Sequence, residues 1–385
     1  MTLLPPASPL PVPPSLTCDI FCRVVDNYGD IGVAWRLARQ LAGEHAATVR
    51  LFVDDLSSFH KLVPSVDPGL LEQAVDGVAV IAWHDSSTYS CAADMVVEAF
   101  ACELPIAYLA QMVRRITRPV WINLEYLSAE AWVAEHHLLP SPHPSLPLRK
   151  FFFFPGFAIG TGGLIREHDL TARRDSSTTA HDRAALRVLV FAYEDAPVWA
   201  LFTAMAQMKK TVIGRISESG LAAKLEHWRA SHAENVPGAA PMLDFQVLPF
   251  VPQAEFDALL WQHDVLFVRG EDSFVRAQWA AKPFVWHIYP QSDRTHLVKL
   301  NAFLDIYCAG LPATAEQAIR EMWLAWNTPV AAAVGPAWTA FFAQLPALNA
   351  HARRWSQRLS EMPDLAGNLL SFYRKNAKIQ GFAEP

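Results

Sequence analysis

An apolar run over 20–25 is followed by Asp26-Asn27-Tyr28-Gly29-Asp30-Ile31-Gly32, and then by apolar residues at 33, 34, 37, 38 and 41. Those last positions share one face of a 3.6-residue period, so the order reads strand, glycine-bearing turn, helix. Units of this kind build open α/β sheets, whose ligands bind at the carboxyl ends of the strands. The turn carries two carboxylates, Asp26 and Asp30, four positions apart. A dinucleotide fingerprint would offer glycines to a pyrophosphate here. This turn offers negative charge, which suits a cation or a proton to be removed. Acceptor binding and base catalysis are expected at this end of the chain.

The pattern continues through 385 residues, enough for two domains with full cores. Strands are expected in the first half over 19–25, 49–53, 78–82, 94–97 and 120–123, with a proline-bearing loop over 138–147. Residues 151–154 read as a buried strand or a wedge between domains, and the polar stretch 173–182 as a linker. The second half repeats the alternation, with buried parallel strands expected over 187–191, 211–213, 245–248, 264–268 and 283–288. A patterned run over 350–373 reads as a terminal helix pair. Two α/β units in tandem with a cleft between them is the architecture implied.

Several classes of function are disfavoured. The net charge of −6 argues against a long phosphate backbone as partner. Five cysteines without a C-x-x-C pair fit a reducing cytoplasm, with Cys18 and Cys22 as core residues. The first fourteen residues hold six prolines and do not form a secretory signal. The charge-free stretch 327–349 is broken by Pro329, Gly335, Pro336 and Pro346, so it reads as packed helices rather than a membrane span. Fourteen histidines form no H-E-x-x-H motif, and His136-His137 reads as an exposed pair.

The expected strands of the second half end in a common composition. Phe191-Ala-Tyr193-Glu, Pro249-Phe250-Val-Pro-Gln253, Arg269-Gly270-Glu271-Asp272-Ser273 and Tyr289-Pro-Gln-Ser bring aromatic, small and polar residues to one edge. Aromatics can sandwich a base, and backbone amides at helix starts can take phosphates. Gly270 allows a close bend, and Asp272 and Ser273 are natural caps for the helix that follows. Taken alone, Asp30 is equally suited to capping the helix it precedes, and Tyr193 and Phe250 to packing in a core.

The long block Cys22–Arg39 resembles the N-terminal signature of the bacterial elongation factor P arginine rhamnosyltransferases. The resemblance continues in Trp121–Glu130, in Gly162–Glu167 and in Arg269–Ser273, and spans the chain from about residue 18 onward. It implies the GT-B glycosyltransferase fold, two Rossmann-like domains facing across a cleft. The divisions expected are a proline-rich extension over 1–17, an acceptor domain over 18–182 rejoined by a terminal helix from about 358 to 385, and a nucleotide-sugar domain over 183–357. The activity implied is metal-independent, inverting transfer of L-rhamnose from dTDP-β-L-rhamnose to an arginine of elongation factor P, which then relieves ribosomes stalled on polyproline. Carried over by position, Asp30 is the general base and Asp26 its companion. Glu271 comes to the reaction centre from the opposite domain. Phe191, Tyr193, Phe250 and Gln253 fall where thymidine is held, and Arg269, Asp272, Ser273 and Tyr289 where ribose, diphosphate and reaction centre lie. Glu125 and Arg166 are read either as part of the acceptor surface or, more simply, as an internal ion pair outside the site. The alternative reading is a GT-B enzyme with another nucleotide sugar and a different acceptor. A non-catalytic partner of a translation factor would not need Asp30 at all.

Overall fold

A computed structural model describes residues 16–25, 28–84, 87–177, 184–232, 243–328 and 330–381. Asp26 and most of the proline-rich start lie outside the described residues; Thr17, expected in that extension, already opens the first strand.

The first lobe is built on β1 (Thr17–Cys22), β2 (Thr48–Val53), β3 (Glu72–Val75), β4 (Val78–Ala82), β5 (Met95–Ala99), β6 (Val120–Leu124), β7 (Pro140–Pro142) and β8 (Arg149–Phe153). Its helices are α1 (Gly29–His45), α2 (Leu56–Leu62), α3 (Ile106–Arg114) and α4 (Trp132–His136); α5 (Leu170–Ser176), on the connecting segment, packs on the second lobe, whose core takes in Leu170. The strands lie in the order β3-β4-β2-β1-β5-β6-β8-β7. The chain runs outward from β1 through β2 to β4, then starts again on the other side with β5. The sheet therefore reverses between β1 and β5, which pair in parallel. Such a switch point opens a crevice at the carboxyl ends of the two strands.

The second lobe repeats this logic with β9 (Ala185–Val190), β10 (Thr211–Ser217), β11 (Leu243–Leu248), β12 (Val265–Arg269) and β13 (Phe284–His287) in the order β11-β10-β9-β12-β13. Helices α6 (Val198–Ala206), α7 (Gly220–His232), α8 (Gln253–Trp261), α9 (Asp272–Trp279), α10 (Thr295–Tyr307), α11 (Ala313–Trp326), α12 (Val334–Ala343) and α13 (Leu345–Ser360) belong to it. The switch point here falls between β9 and β12. The last helix, α14 (Leu365–Gly381), returns to the first lobe, where Leu365, Ala366, Leu369 and Leu370 join the core around β1 and α1.

Several expectations need correction. The linker over 173–182 begins inside α5, and residues 178–182 lie outside the described residues. The loop over 138–147 contains β7, an edge strand that pairs antiparallel with β8. Strand β11 is also an edge, with half of its residues exposed rather than the strand buried throughout. The hairpin of β3 and β4 turns through Asp76-Gly77, both with positive φ, the Asp-Gly pair that two-residue hairpin turns favour.

Candidate active site

The first switch point delivers Asp30. It sits in the first turn of α1 and is only 3% exposed. It does not cap the helix: Tyr28 holds that position without a side-chain cap bond. The Asp30 carboxylate instead accepts the Val25 backbone N–H (3.1 Å) and the Tyr126 hydroxyl (3.2 Å), which ties it to the ends of β1 and β6. Tyr126 in turn stacks on Phe100 at 4.5 Å between ring centres. Phe100, Ala101 and Glu103, just after β5, all hold left-handed backbone angles. Strain of that kind persists only where the surroundings fix it, and it collects at functional sites.

The second switch point delivers the aromatic and phosphate-type groups. The Arg269 guanidinium at the end of β12 lies 4.9 Å from the ring centres of both Phe191 and Tyr193, beyond β9. Gly270 turns the chain at φ +67°, a conformation costly for any residue with a Cβ, and its carbonyl accepts the Trp286 indole N–H at 2.9 Å. Helix α9 follows, but Asp272 and Ser273 do not cap it. Glu271 holds the cap position with no side-chain bond, and the Ser273 hydroxyl donates to the Arg269 carbonyl. Asp272 accepts Arg36 (2.7 Å), Arg276 (2.9 Å) and Gln253 (3.0 Å). Burial would raise the Asp272 carboxyl, but the charges of Arg276 and Arg36 more than reverse this, so it stays ionised below the ordinary carboxylate range. The start of α9 thus lacks a side-chain cap, and helix starts favour anions.

Two adjoining cavities fill the cleft. One is lined by Phe191, Tyr193, Phe250, Gln253 and the Arg269–Ser273 turn, with Tyr28 and Leu62 contributed by the first lobe. Phe250, half exposed, meets Tyr28 edge-on at 5.1 Å across the gap, so it is not a core aromatic. The other cavity is lined by Asp30, Phe100 and Tyr126 of the first lobe and by Glu271, Tyr289 and Lys299 of the second. Tyr289 is largely exposed and sits edge-on to Tyr193 at 5.6 Å. A third, shallower cavity shares Val25, Phe100 and Tyr126 with this one and opens over residues 100–106.

The second cavity has a distinctive charge state. Its two acidic walls are joined through one dipeptide: Tyr126 donates to Asp30, and the Leu127 N–H donates to Glu271 at 3.0 Å. Burial pushes the Glu271 carboxyl up to about 8, and the charge of Asp30 adds to this; the Leu127 N–H and Lys299 oppose it. Glu271 is therefore mainly protonated at neutral pH. A cation brought between it and Asp30 would pull that value down and ionise it.

All the expected site residues within the described part line one or other cavity. Asp26 lies outside the described residues. Within the site, Gln253 directs its amide nitrogen, and Asp272 its carboxylate, into bonds at the lobe interface. Tyr28, Phe100, Tyr126 and Lys299 were not anticipated, although Tyr126 stands inside one of the matching sequence blocks. Glu125 and Arg166 do not pair with each other. Glu125 accepts from Asn123, while Arg166 donates to the Ser360 carbonyl (2.6 Å) and lies over Trp279. His137 is half-buried rather than exposed and accepts the Phe154 N–H. Among the described residues there is no group of three or more His, Cys, Asp or Glu that could hold a metal ion.

A profile of the family described as elongation factor P (EF-P) rhamnosyltransferase EarP matches residues 18–374. The chain belongs to the EarP family. It is 45% identical over 371 residues to the protein-arginine rhamnosyltransferase of Pseudomonas aeruginosa, covering 92% of this chain and 98% of that one. It is 46% identical over 376 residues to the Pseudomonas putida protein of the same name, covering 94% and 99%. A solved structure concerned with EarP-mediated arginine glycosylation of translation elongation factor EF-P matches with a TM-score of 0.63 at 34% identity, covering 94% of this chain and 99% of the other. The likeness of fold extends to the spinosyn rhamnosyltransferase SpnG, with a TM-score of 0.52 at 10% identity over 93% of this chain and 100% of that one. The architecture is that of GT-B glycosyltransferases, and this EarP-family protein is one of them.

Proposed function

We propose that this protein transfers L-rhamnose from dTDP-β-L-rhamnose to an arginine side chain of elongation factor P, with inversion at the anomeric carbon and without a resident metal. The observation that carries the proposal is the meeting of Asp30 and Glu271, from opposite lobes, around one cavity that adjoins an aromatic, helix-start cavity. Phe191, Tyr193 and Phe250 bracket the thymidine. Arg269 and the backbone N–H groups at the first turn of α9, at Asp272 and Ser273, face the diphosphate, and Tyr289 borders the sugar.

A guanidinium has a pKa above about 12 and spreads its charge over three nitrogens, so it is a poor nucleophile. Asp30 and an ionised Glu271 hold it from two sides, with Asp26 as the further acidic partner that the resemblance implies. One nitrogen attacks the anomeric carbon from the face opposite the diphosphate. The C–O bond to the β-phosphate breaks as the C–N bond forms, dTDP leaves, and the proton lost from nitrogen passes to Asp30. Positive groups at the diphosphate take up the charge that develops on the leaving group. The acceptor protein rests on the shallow cavity over residues 100–106 and extends its arginine past Val25, Phe100 and Tyr126. Among the described residues no helix is long and apolar enough to cross a membrane, and we place the reaction in the cytoplasm, where a translation factor is met.

The test is to incubate the purified protein with dTDP-rhamnose and arginine-bearing elongation factor P and weigh the intact factor. A gain of one deoxyhexose is expected. No gain, or an equal gain from a UDP-hexose in its place, would overturn the proposal.

A further inference from the structure

Helix α1 carries Asp30 at its start and, further along, buries Arg36, which is 2% exposed. The Arg36 guanidinium grips Glu167 with two parallel bonds (2.9 and 2.8 Å) and reaches Asp272 of α9 with a third nitrogen at 2.7 Å. Asp272 also takes Arg276 at 2.9 Å, and Arg276 holds Asp257 of α8 at 2.8 Å. Beside this chain the Gln253 amide bridges the Asp272 carboxylate (3.0 Å) and the Gly32 carbonyl of α1 (2.9 Å).

The way this network divides is informative. Arg36 with Glu167 is a complete, neutral pair in the first lobe and the segment leaving it. In the second, Asp272 and Asp257 share the Arg276 guanidinium, so each keeps a charged partner although the group carries an excess negative charge. Within this network one ion pair and one amide–carbonyl bond cross between the lobes, beside the Leu127 N–H bond to Glu271 already described. Stripping a buried charge of its last partner is strongly unfavourable. Here each half keeps its own partners when the lobes part, so opening is permitted, while closure gains a charge-assisted bond in one fixed register. The same helix also reaches the hinge: Gln40 donates to the Arg166 carbonyl (2.7 Å) and to Asp364 (3.2 Å), on the two segments where the chain passes between lobes.

We propose that Arg36, Gln253 and Asp272 form a reversible latch that shuts the cleft in the register that sets Asp30 opposite Glu271, with Arg36 as a positioning residue. The lever is short and stiff. Asp30 and Arg36 share one helix, and Asp272 is the immediate neighbour of Glu271, so joining Arg36 to Asp272 fixes the spacing of the two reacting carboxyl groups. The proposal rests on the pairing of Asp30 with Glu271 put forward above.

Gly32→Ala is the cleanest test. A Cβ at position 32 would stand 3.0 Å from the Gln253 amide nitrogen and 3.6 Å from an Asp272 carboxylate oxygen, wedging the latch without removing any charge. Inside a helix the same change otherwise favours folding. The expected result is an unchanged or higher Tm with kcat lowered about tenfold, donor KM within about threefold, and a small-angle scattering radius in saturating dTDP that stays at the open value. Arg36→Met should lower kcat at least as far, and Arg36→Lys, which can keep one of the bonds, should restore part of it. Wild-type kcat and nucleotide-driven compaction in both Gly32→Ala and Arg36→Met would overturn the latch, as would losses that merely follow the fraction of folded protein. The scattering readout is independent of the chemistry. If Asp30→Asn remained fully active while Gly32→Ala failed to compact, the pairing of carboxylates would fall and the latch would stand.

Discussion

At neutral pH an arginine side chain offers no lone pair, so under the proposed function the cavity of Asp30 and Glu271 takes a cation and returns a nucleophile. Glu271 gives this step a measurable proton balance. With its carboxyl pushed up to about 8 by burial and by Asp30, it should give up a proton when a guanidinium arrives. At pH 7 acceptor binding should therefore release a proton, seen as a buffer-dependent binding enthalpy, and Glu271→Gln should remove that dependence. Stability follows the same linkage. Between the ordinary carboxylate value and about 8 the folded chain holds one more proton than the unfolded chain, so this contribution is full at low pH and is lost as pH rises through 8. Chemical denaturation from pH 5 to 9 should show the free protein losing stability across that window more steeply than Glu271→Gln does. Tyr126→Phe removes the hydroxyl that holds Asp30 but keeps the ring on Phe100. Its kcat should fall on the order of tenfold, about 1.4 kcal/mol, with little change in Tm.

Elements place these residues, and they differ in how plainly the sequence announces them. Strands β1, β5, β6 and β12 are covered on both faces and are mostly apolar, interrupted only by Asp19, Glu98 and Asn123 in the first three, which is why they are legible directly. Strands β3, β7 and β11 lie at edges, are short or half exposed, and carry no such run. The turns after β1 and β12 were legible because charge and glycine break an apolar pattern there. Arg36 was not, because its partners Glu167 and Asp272 lie 131 and 236 residues away and a charge inside a helical pattern says nothing of what it meets. Asp30 likewise looks like a cap until Tyr126 and Val25 are found on its carboxylate. At the turn after β12, Gly270→Ala forces a Cβ into a left-handed backbone at a cost of about 1–2 kcal/mol. Calorimetric titration should show weaker dTDP binding by at least several-fold, with the fold otherwise retained.

At the scale of the whole molecule, neither lobe contains a complete site. The aromatic cavity takes Tyr28 and Leu62 from the first lobe, and the acidic cavity needs Glu271 and Tyr289 from the second. A ligand that touches both lobes stabilises both. Saturating dTDP, at about a hundred times its Kd, should add about 2.7 kcal/mol and shift the unfolding of the two lobes together in a calorimetric scan. The return of α14 to the core of the first lobe joins the lobes by two chain crossings. The central claim is that Asp30, poised across the cleft from Glu271, takes the proton from the attacking nitrogen. The most direct measurement is single-turnover transfer by Asp30→Asn with dTDP-rhamnose already bound, followed by the intact mass of elongation factor P. Nucleotide affinity should match the unaltered protein while transfer falls by about a hundredfold or more; transfer at the unaltered rate would contradict the account.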